Sequence, residues 1–481
     1  DALSKLVRLE QDLGGELAKL EAANLAEVAK EPARRDRHAE RAIHDRVREV
    51  RDELRQVRNR LSVEFPKYVE LQKPQAVSLA QVRSLLNGDE ALIVIDIAGE
   101  DEGADYVWAI SRERSNWQRM DTEPGQIARL IAELRNGLDL QARGRKPIEP
   151  NNSYELFRLM LAPVEDVLAD NKHLLFVLNG AVSSLPPQIL VTALPSGNTE
   201  LRDAAWLARK YSISILPTVS SLKLLREQGR QMKALKPFRG YGDPVFDPVR
   251  ESNIRMPPRG FGSLFRGGRA DLALLRENLP RLPGTAKELQ TVARKLAVPD
   301  SEIILRGAAS EAAVKQDDLS DYSIVYFATH GLVAGEVEQV AKGTAEPALA
   351  LTIPSEATDI DDGLLTVSEI VQLRLNADWV VLSACNTAAA GKPGANPLSG
   401  LARAFFYAGA RSLLVSHWVV DDESTAELMG RTFTYAAEHT DSHQAEALQH
   451  AMLSLIDDPD HPHWSDPIYW APFVIVGESF H

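Results

Sequence analysis

Short apolar runs rich in β-branched residues recur along most of this chain, and no other feature restricts its fold as strongly. Two clear examples are residues 324–328 (Ile-Val-Tyr-Phe-Ala) and residues 379–382 (Trp-Val-Val-Leu). Strands buried on both faces have this continuous apolar character, and segments with helical spacing separate the runs. The alternation predicts an α/β fold in which helices cover both faces of a mostly parallel sheet, giving a three-layer sandwich.

The first 70 residues follow a different pattern. Apolar residues recur at steps of three and four over residues 6–20 and again over residues 43–61, with charges between them. This spacing is typical of amphipathic helices, and Pro32 provides a break between them. The pattern predicts an α-helical hairpin over residues 1–70. Arginines crowd residues 34–60, but interleaved acids favour a solvated charged face over an anion-binding surface.

Two series of strands and helices follow the hairpin. The first occupies residues 78–235 and the second residues 284–481. Between them, residues 236–283 are rich in Gly, Pro and Arg, which indicates a linker loop. A chain of 481 residues is longer than one core usually accommodates, so we expect two or three units, at least one of them a sizeable α/β domain.

Each of the two apolar runs is followed directly by a reactive side chain. His330 and Gly331 come just after the first run, and Ser383 and Cys385 come just after the second. The carboxyl ends of parallel strands meet at one edge of a sheet, so we expect His330 and Cys385 to be neighbours. An imidazole within reach can accept a thiol proton and create a nucleophile. The backbone N–H groups of Gly331 and Cys385 could then hold a developing oxyanion.

Each of these side chains also has a plainer interpretation when it is taken alone. A cysteine at a strand end is often a small buried hydrophobe, and a histidine is often a structural residue. The order and spacing favour the paired interpretation, because His330 precedes Cys385 by 55 residues. Caspases have a similar order, with a spacing of about 50 residues, although the caspase local sequence around the cysteine is absent here.

Several segments together resemble CHAT domains, which are caspase-like cysteine peptidases usually found behind tetratricopeptide repeats and related more distantly to separases. Three carry most of the resemblance: residues 328–331 (Ala-Thr-His-Gly), 382–388 (Leu-Ser-Ala-Cys-Asn-Thr-Ala) and 401–410 (Leu-Ala-Arg-Ala-Phe, then Ala-Gly-Ala). Further matches are Leu-Asn-Gly at 178–180, Tyr-Gly-Asp-Pro at 241–244, Leu-Pro-Gly-Thr-Ala-Lys-Glu at 282–288 and Trp-Ala-Pro-Phe-Val at 470–474. The resemblance therefore covers roughly the last four-fifths of the chain, from about residue 78.

The resemblance implies a fold and a role for each matching residue. It implies tandem caspase-like sandwiches behind the helical hairpin, with His330 as the base, Cys385 as the nucleophile and Gly331 as an oxyanion donor. The first half would be catalytically silent, and residues 78–235 indeed contain no cysteine. The hairpin would be the end of a tetratricopeptide or other helical array that senses an activating partner or ligand. A bacterial signalling or defence context is implied in the same way.

A segment near the end of the chain bears on substrate specificity. His417 and Trp418 are followed by Asp421 and Asp422, which is similar to a separase segment in which an aspartate lines the S1 pocket. The resemblance implies that Asp422, helped by Asp421, binds a basic P1 residue. Acids before a helical pattern can instead cap that helix, and the two roles could be split between the two aspartates. His417 and Trp418 are expected to pair with a substrate strand.

We include Ser383, beside the nucleophile, among the expected substrate-binding residues.

Composition excludes several other classes of function. The net charge of −14 opposes broad nucleic-acid binding, and no apolar run approaches the roughly 20 residues of a membrane span. A single cysteine excludes an internal disulfide and a thiolate-rich zinc site, and it fits a reducing, cytoplasmic compartment. The acids and histidines of residues 457–463 are interrupted by prolines, so we expect no metal there and no cofactor elsewhere.

The sequence as a whole leads to one hypothesis and two alternatives. The chain, which starts at Asp1 and which we expect to be part of a longer protein, would be a cysteine endopeptidase that cuts a protein partner through a thioacyl intermediate. Cleavage after a basic residue and gating by an upstream sensor region belong to the same hypothesis. The alternatives are a non-catalytic signalling scaffold with a caspase-like fold and a cysteine-dependent acyl transferase.

Overall fold

The structure is a computed structural model. It describes residues 2–28, 36–70, 76–98, 103–140, 145–194, 200–227, 234–246, 265–266, 269–270, 272, 275–276, 279–332, 347–358, 360–383, 400–418, 420–440 and 442–477. Cys385 lies outside the described residues.

The amino-terminal residues form the expected helical hairpin. Helix α1 (Ala2–Val28) packs against α2 (Arg37–Glu64), and the short α3 (Pro66–Glu70) follows. Ion pairs link the helices across their charged faces, among them Arg46 to Glu16 at 2.7 Å. Arginines of α2 are thus paired with acids, in keeping with a solvated charged face.

Strands and helices then alternate to the end of the chain. The first half contains β1 (Glu90–Asp96), β2 (Tyr106–Ser111), β3 (Ser115–Arg119), β4 (His173–Asn179) and β5 (Ser212–Ile215), with α4 (Leu79–Leu85), α5 (Gln126–Asn136), α6 (Pro150–Met160), α7 (Glu165–Leu168) and α8 (Val219–Glu227). The strands of the second half are β6 (Lys236–Gly242), β7 (Phe265–Arg266), β8 (Arg269–Ala270), β9 (Ile303–Leu305), β10 (Tyr322–Ala328), β11 (His330–Leu332), β12 (Ala348–Ala350), β13 (Leu364–Thr366), β14 (Trp379–Ser383), β15 (Ser412–Ser416) and β16 (Phe473–Gly477). Its helices are α9 (Gly284–Lys295), α10 (Glu311–Gln316), α11 (Val367–Ile370), α12 (Leu401–Ala408), α13 (Asp422–Glu438), α14 (Gln444–Ile456) and α15 (Pro467–Trp470). Within the described ranges, no helix is both long and apolar enough to cross a membrane.

The two halves share one sheet. Its eleven described strands lie in the order β3-β2-β1-β4-β5-β16-β15-β14-β10-β6-β9, and most neighbours are parallel. The predicted α/β class with a mostly parallel sheet is confirmed. The halves join where β5 pairs in parallel with β16, and β16 is antiparallel to β15. Strands β10, β14 and β15 therefore run opposite to β1, β4 and β5.

The predicted linker over residues 236–283 is wrong at its beginning, because Lys236–Gly242 forms strand β6, which pairs with β10 and is buried at its carboxyl end. The glycines that suggested a loop have a packing role. A Cβ at Gly240 would lie 2.9 Å from Leu289 Cδ2, and one at Gly242 would lie 2.6 Å from Leu289 Cδ1. Their missing side chains let α9 approach the sheet closely.

The helical hairpin is docked on the second half. Tyr68 of α3 meets Tyr407 of α12 edge to face, with 5.6 Å between ring centroids. Arg403 of α12 is half-buried near Tyr68 and Glu10 of the hairpin. Burial lowers the pKa of its guanidinium, and these two hairpin residues oppose the shift. The hairpin thus contacts the helix that follows residues 384–399, the stretch that contains Cys385.

The role of β6 can be tested with Gly242→Ala. The added methyl group would overlap Leu289, and overpacking of this kind costs about 1–3 kcal/mol of unfolding free energy, measurable by urea denaturation. Gly88→Ala is the matched control, because no atom lies within 4 Å of a Cβ there. In a Leu289→Ala background the cost of Gly242→Ala should shrink, and an undiminished cost would show that the helix contact is not the cause.

Candidate active site

The site begins at the ends of two adjacent parallel strands. In the pairing of β10 with β14, Ala328 lies opposite Ser383, and the Thr329 amide extends the ladder by donating to the Ser383 carbonyl at 3.1 Å. His330 comes two residues after Ala328, and Cys385 comes two residues after Ser383. His330 therefore lies next to the end of β14, the strand that precedes Cys385 in the sequence.

His330 is held by its own short strand. As the first residue of β11 it lies opposite Ala350 of β12, and only 8% of its surface is exposed. The ring of Phe246 packs against the imidazole, with 5.2 Å between centroids. Gly331 follows in the same strand opposite Leu349 and is also buried. Three buried strands, β11 to β13, thus carry the histidine away from the main sheet.

One hydrogen bond determines the tautomer of the imidazole. His330 Nε2 lies 2.8 Å from the carbonyl oxygen of Pro280. A carbonyl only accepts, so Nε2 carries the proton and the neutral ring has its free lone pair on Nδ1. Burial lowers the pKa of His330, while the Pro280 carbonyl opposes that shift. The ring is therefore neutral at physiological pH, with Nδ1 able to accept a proton.

Ser383 supports the strand end instead of making the substrate contact expected from the sequence. It is buried, and its hydroxyl hydrogen-bonds to Glu288 of α9 and to Tyr326 of β10. The Tyr326 hydroxyl also donates to Glu288. Burial raises the pKa of Glu288 to about 7, the two hydroxyls oppose the shift, and nearby Asp422 adds to it.

The sequence analysis did not identify Glu288 or Pro280 as parts of the site. Glu288 ends the motif at residues 282–288, which was the available signal. Pro280 acts through its backbone carbonyl, for which a sequence gives no signal.

The two aspartates have different positions. Asp421 is the N-cap of α13, where its side chain accepts from the Ser424 amide at 2.9 Å. The Asp422 side chain is exposed and lies against the beginning of α9, so close that a Cβ on Gly284 would overlap its carboxylate. Partial desolvation and Asp421 raise the pKa of Asp422, and Lys287 opposes this.

His417 and Trp418 lie in the protein interior, which contradicts their expected pairing with a substrate. His417 donates its amide to the Pro472 carbonyl at 2.8 Å, and its own carbonyl accepts from Arg135 at 3.0 Å. Trp418 donates its indole N–H to the Ile468 carbonyl at 3.1 Å. The backbone groups of His417 and the side chain of Trp418 are engaged because the chain after β15 continues beside the start of β16. Burial and Arg135 lower the pKa of His417 to about 3, so its ring stays neutral.

The described residues offer no evident metal centre. They contain no group of three or more His, Cys, Asp or Glu side chains arranged to hold an ion. In the loop at residues 457–463, Asp458 accepts from the amides of Asp460 and His461 and forms an ion pair with Arg431 at 2.8 Å. That loop is thus held together by its own hydrogen bonds.

Glu288 should give the protein a pH-dependent stability. The unfolded carboxyl releases its proton near pH 4.5 and the folded one near pH 7, so between these values the unfolded state binds fewer protons. Stability should fall across this window, by about 3 kcal/mol at most, and level off above it. Glu288→Gln keeps an acceptor for Tyr326 and should remove this decline in urea unfolding at pH 5, 6 and 7. The exposed Glu113→Gln is the control, and parallel curves for Glu288→Gln and wild type would refute the assignment.

Three kinds of comparison relate the chain to known proteins. Among solved structures, yeast (Saccharomyces cerevisiae) separase in complex with securin matches at 11% identity and a TM-score of 0.43, covering 82% of this chain and 30% of that one. Porphyromonas gingivalis RgpB, as a complex of its pro- and mature domains, matches at 9% identity and a TM-score of 0.36, covering 73% and 75%. The chain thus spans less than a third of the separase chain. No curated protein matches the sequence. The CHAT domain family matches residues 152–478, which is more than half of the chain, and the protein therefore belongs to the CHAT-domain family.

Proposed function

We propose that the chain is a cysteine endopeptidase with Cys385 as nucleophile and His330 as general base. The observation that carries this proposal is the register that places Ala328 opposite Ser383. His330 follows Ala328 by two residues, and Cys385 follows Ser383 by two residues. Neighbouring strands lie about 4.8 Å apart, and two residues advance the chain by at most about 7 Å. The short separation of the two strand ends supports a pairing of the thiol with the imidazole.

The protonation state of His330 suits the first chemical step. Its Nδ1 takes the proton from the Cys385 thiol, and the thiolate attacks the carbonyl carbon of the scissile peptide bond. The amides of Gly331 and Cys385 donate to the oxyanion. The imidazolium then protonates the leaving amine, and water attacks the resulting thioester to release the new carboxyl terminus. A single cysteine fits a reducing compartment, and we infer a cytoplasmic location.

Asp422 is the group in this region that best fits a basic P1 side chain. Asp421 is occupied as a helix cap, whereas the Asp422 carboxylate is exposed at the beginning of α9. It lies close enough to Glu288 to raise the pKa of that group, and Glu288 contacts Ser383 at the end of the nucleophile strand. A carboxylate near the cleavage site favours Arg or Lys through a charge-assisted hydrogen bond.

The docked hairpin offers a route for control by an upstream region. Tyr68 and Tyr407 join α3 to α12, and α12 begins shortly after the stretch that contains Cys385. A helical array of the tetratricopeptide type that ends in this hairpin could bind an activating partner and shift α12. Protein substrates and such an activator are the partners we propose.

Alkylation of Cys385 tests the dyad without a known substrate. The chain has one cysteine, so the rate of modification by iodoacetamide reports on that thiol alone. His330→Gln should slow the reaction at pH 7 by about tenfold, because the thiolate loses its proton acceptor. His38→Gln, on the exposed face of α2, should have no effect. Equal rates in wild type and His330→Gln would contradict the dyad.

Cleavage itself can be tested with a proteome and mass spectrometry of new termini. New termini should appear with wild type and vanish with Cys385→Ala, and they should follow Arg or Lys. Asp422→Asn should reduce this preference by roughly tenfold or more, since it removes the charge that binds the basic side chain. Asp421→Asn is the matched control and should leave the preference intact. Spliced products would indicate acyl transfer, and silence of both wild type and Cys385→Ala with the upstream region and its activator present would favour a scaffold.

A further inference from the structure

An ion pair between an exposed arginine and a buried aspartate lies next to the carbonyl that holds His330. Arg281 directly follows Pro280, and its guanidinium binds Asp243 through two parallel hydrogen bonds, Nε to Oδ1 and Nη2 to Oδ2, each 3.0 Å long. Asp243 is only 4% exposed. A paired, bidentate arrangement fixes direction as well as distance. The peptide group preceding Arg281 is therefore tied to the loop that leaves β6.

Residues 282–285, which follow Arg281, are also held by the loop that leaves β6. The Asp243 amide donates to the Thr285 hydroxyl at 2.8 Å, and that hydroxyl donates to the Leu282 carbonyl at 2.7 Å. Phe246, three residues beyond Asp243, contacts the His330 ring. One short loop thus touches the imidazole directly and also holds the chain whose carbonyl binds Nε2.

Asp243 adopts a backbone conformation that is uncommon for its type. Its φ angle is +44°, in the left-handed region that few residues other than glycine, Asn and Asp enter. Such conformations persist where the surrounding contacts require them, and they concentrate at functional sites. Here the turn points the carboxylate back to Arg281 while β6 ends one residue earlier.

We propose that the Asp243–Arg281 ion pair positions His330 by fixing the Pro280 carbonyl, and that it thereby selects the Nε2–H tautomer. The proposal deepens the proposed function, since it assigns two positioning residues to the same histidine. Neither side chain needs to contact substrate. Without the pair, the Pro280 carbonyl loses its fixed direction, and the proton can move to Nδ1, where it would block acceptance from a thiol.

The tautomer can be measured directly by NMR of protein carrying ¹⁵N-histidine, because protonated and unprotonated ring nitrogens have well-separated shifts. His330→Gln assigns the signals. Asp243→Asn is the decisive variant, since Asn also tolerates the left-handed conformation but lacks the charge. We expect the wild-type ring to be protonated at Nε2 alone. In Asp243→Asn the tautomer ratio should shift toward Nδ1–H by about five- to tenfold, which is the equilibrium effect of one net hydrogen bond.

Glu90→Gln is the matched control, because Glu90 is fully buried and paired with Arg226 at 2.8 Å in β1, six strands from β10. It should lower stability and leave the His330 signals unchanged. A single Nε2–H tautomer in Asp243→Asn, or an equal shift in Glu90→Gln, would overturn the proposal. If Asp243→Asn does not fold, Arg281→Lys, which keeps the charge and loses the bidentate geometry, decides by the same criteria. A tautomer shift in a protein that cleaves no peptide would leave the positioning role standing and remove only the peptidase function.

Discussion

The parallel pairing of β10 with β14 is the constraint on which the rest of the site depends. Both strands are buried except at half-buried Ser323, and their register places Ala328 opposite Ser383. One more hydrogen bond, from the Thr329 amide, keeps the two chains together at the point where β10 ends. Beyond it the chain turns into β11 and carries His330 off the sheet. Neighbouring strand ends therefore fix where the imidazole can lie.

Helix α9 connects this strand pair to its surroundings. Gly240 and Gly242 let the helix approach closely, and Glu288 reaches Tyr326 and Ser383 from it. A buried carboxyl is expensive when ionised but can serve as a neutral hydrogen-bonding group. That matters next to a proposed thiolate, because a negative charge nearby would raise the pKa of the thiol. With a pKa of about 7, Glu288 is about half protonated at neutral pH and so adds less negative charge at the strand end than an ordinary carboxylate would.

The sequence predicted those parts of the fold that rest on apolar periodicity. Strands β10 and β14 contain the two apolar runs at residues 324–328 and 379–382 that predict buried strands, because neither run contains a charged residue. The sequence predicts a loop where β6 lies, because the glycines of this strand serve packing against a helix that comes later in the chain. Contacts between residues distant in sequence, such as that of the Pro280 carbonyl with His330, could not be predicted either. To assign separate roles to Asp421 and Asp422, one must know at which residue their helix begins. The role of Cys385 as nucleophile stays a prediction.

The direction of the strands explains how the first half can belong to the same sheet and yet take no part in the proposed chemistry. Because β16 is antiparallel to β15 and parallel to β5, the carboxyl ends of β1, β4 and β5 lie at the opposite edge from His330. Side chains that follow those strands cannot reach the imidazole. The edge that holds His330 is contacted by the carboxyl end of α5, where Arg135 donates a hydrogen bond to the carbonyl of His417, just after β15. Through that contact and the β5–β16 pairing, the first half stabilises the strands next to the proposed nucleophile.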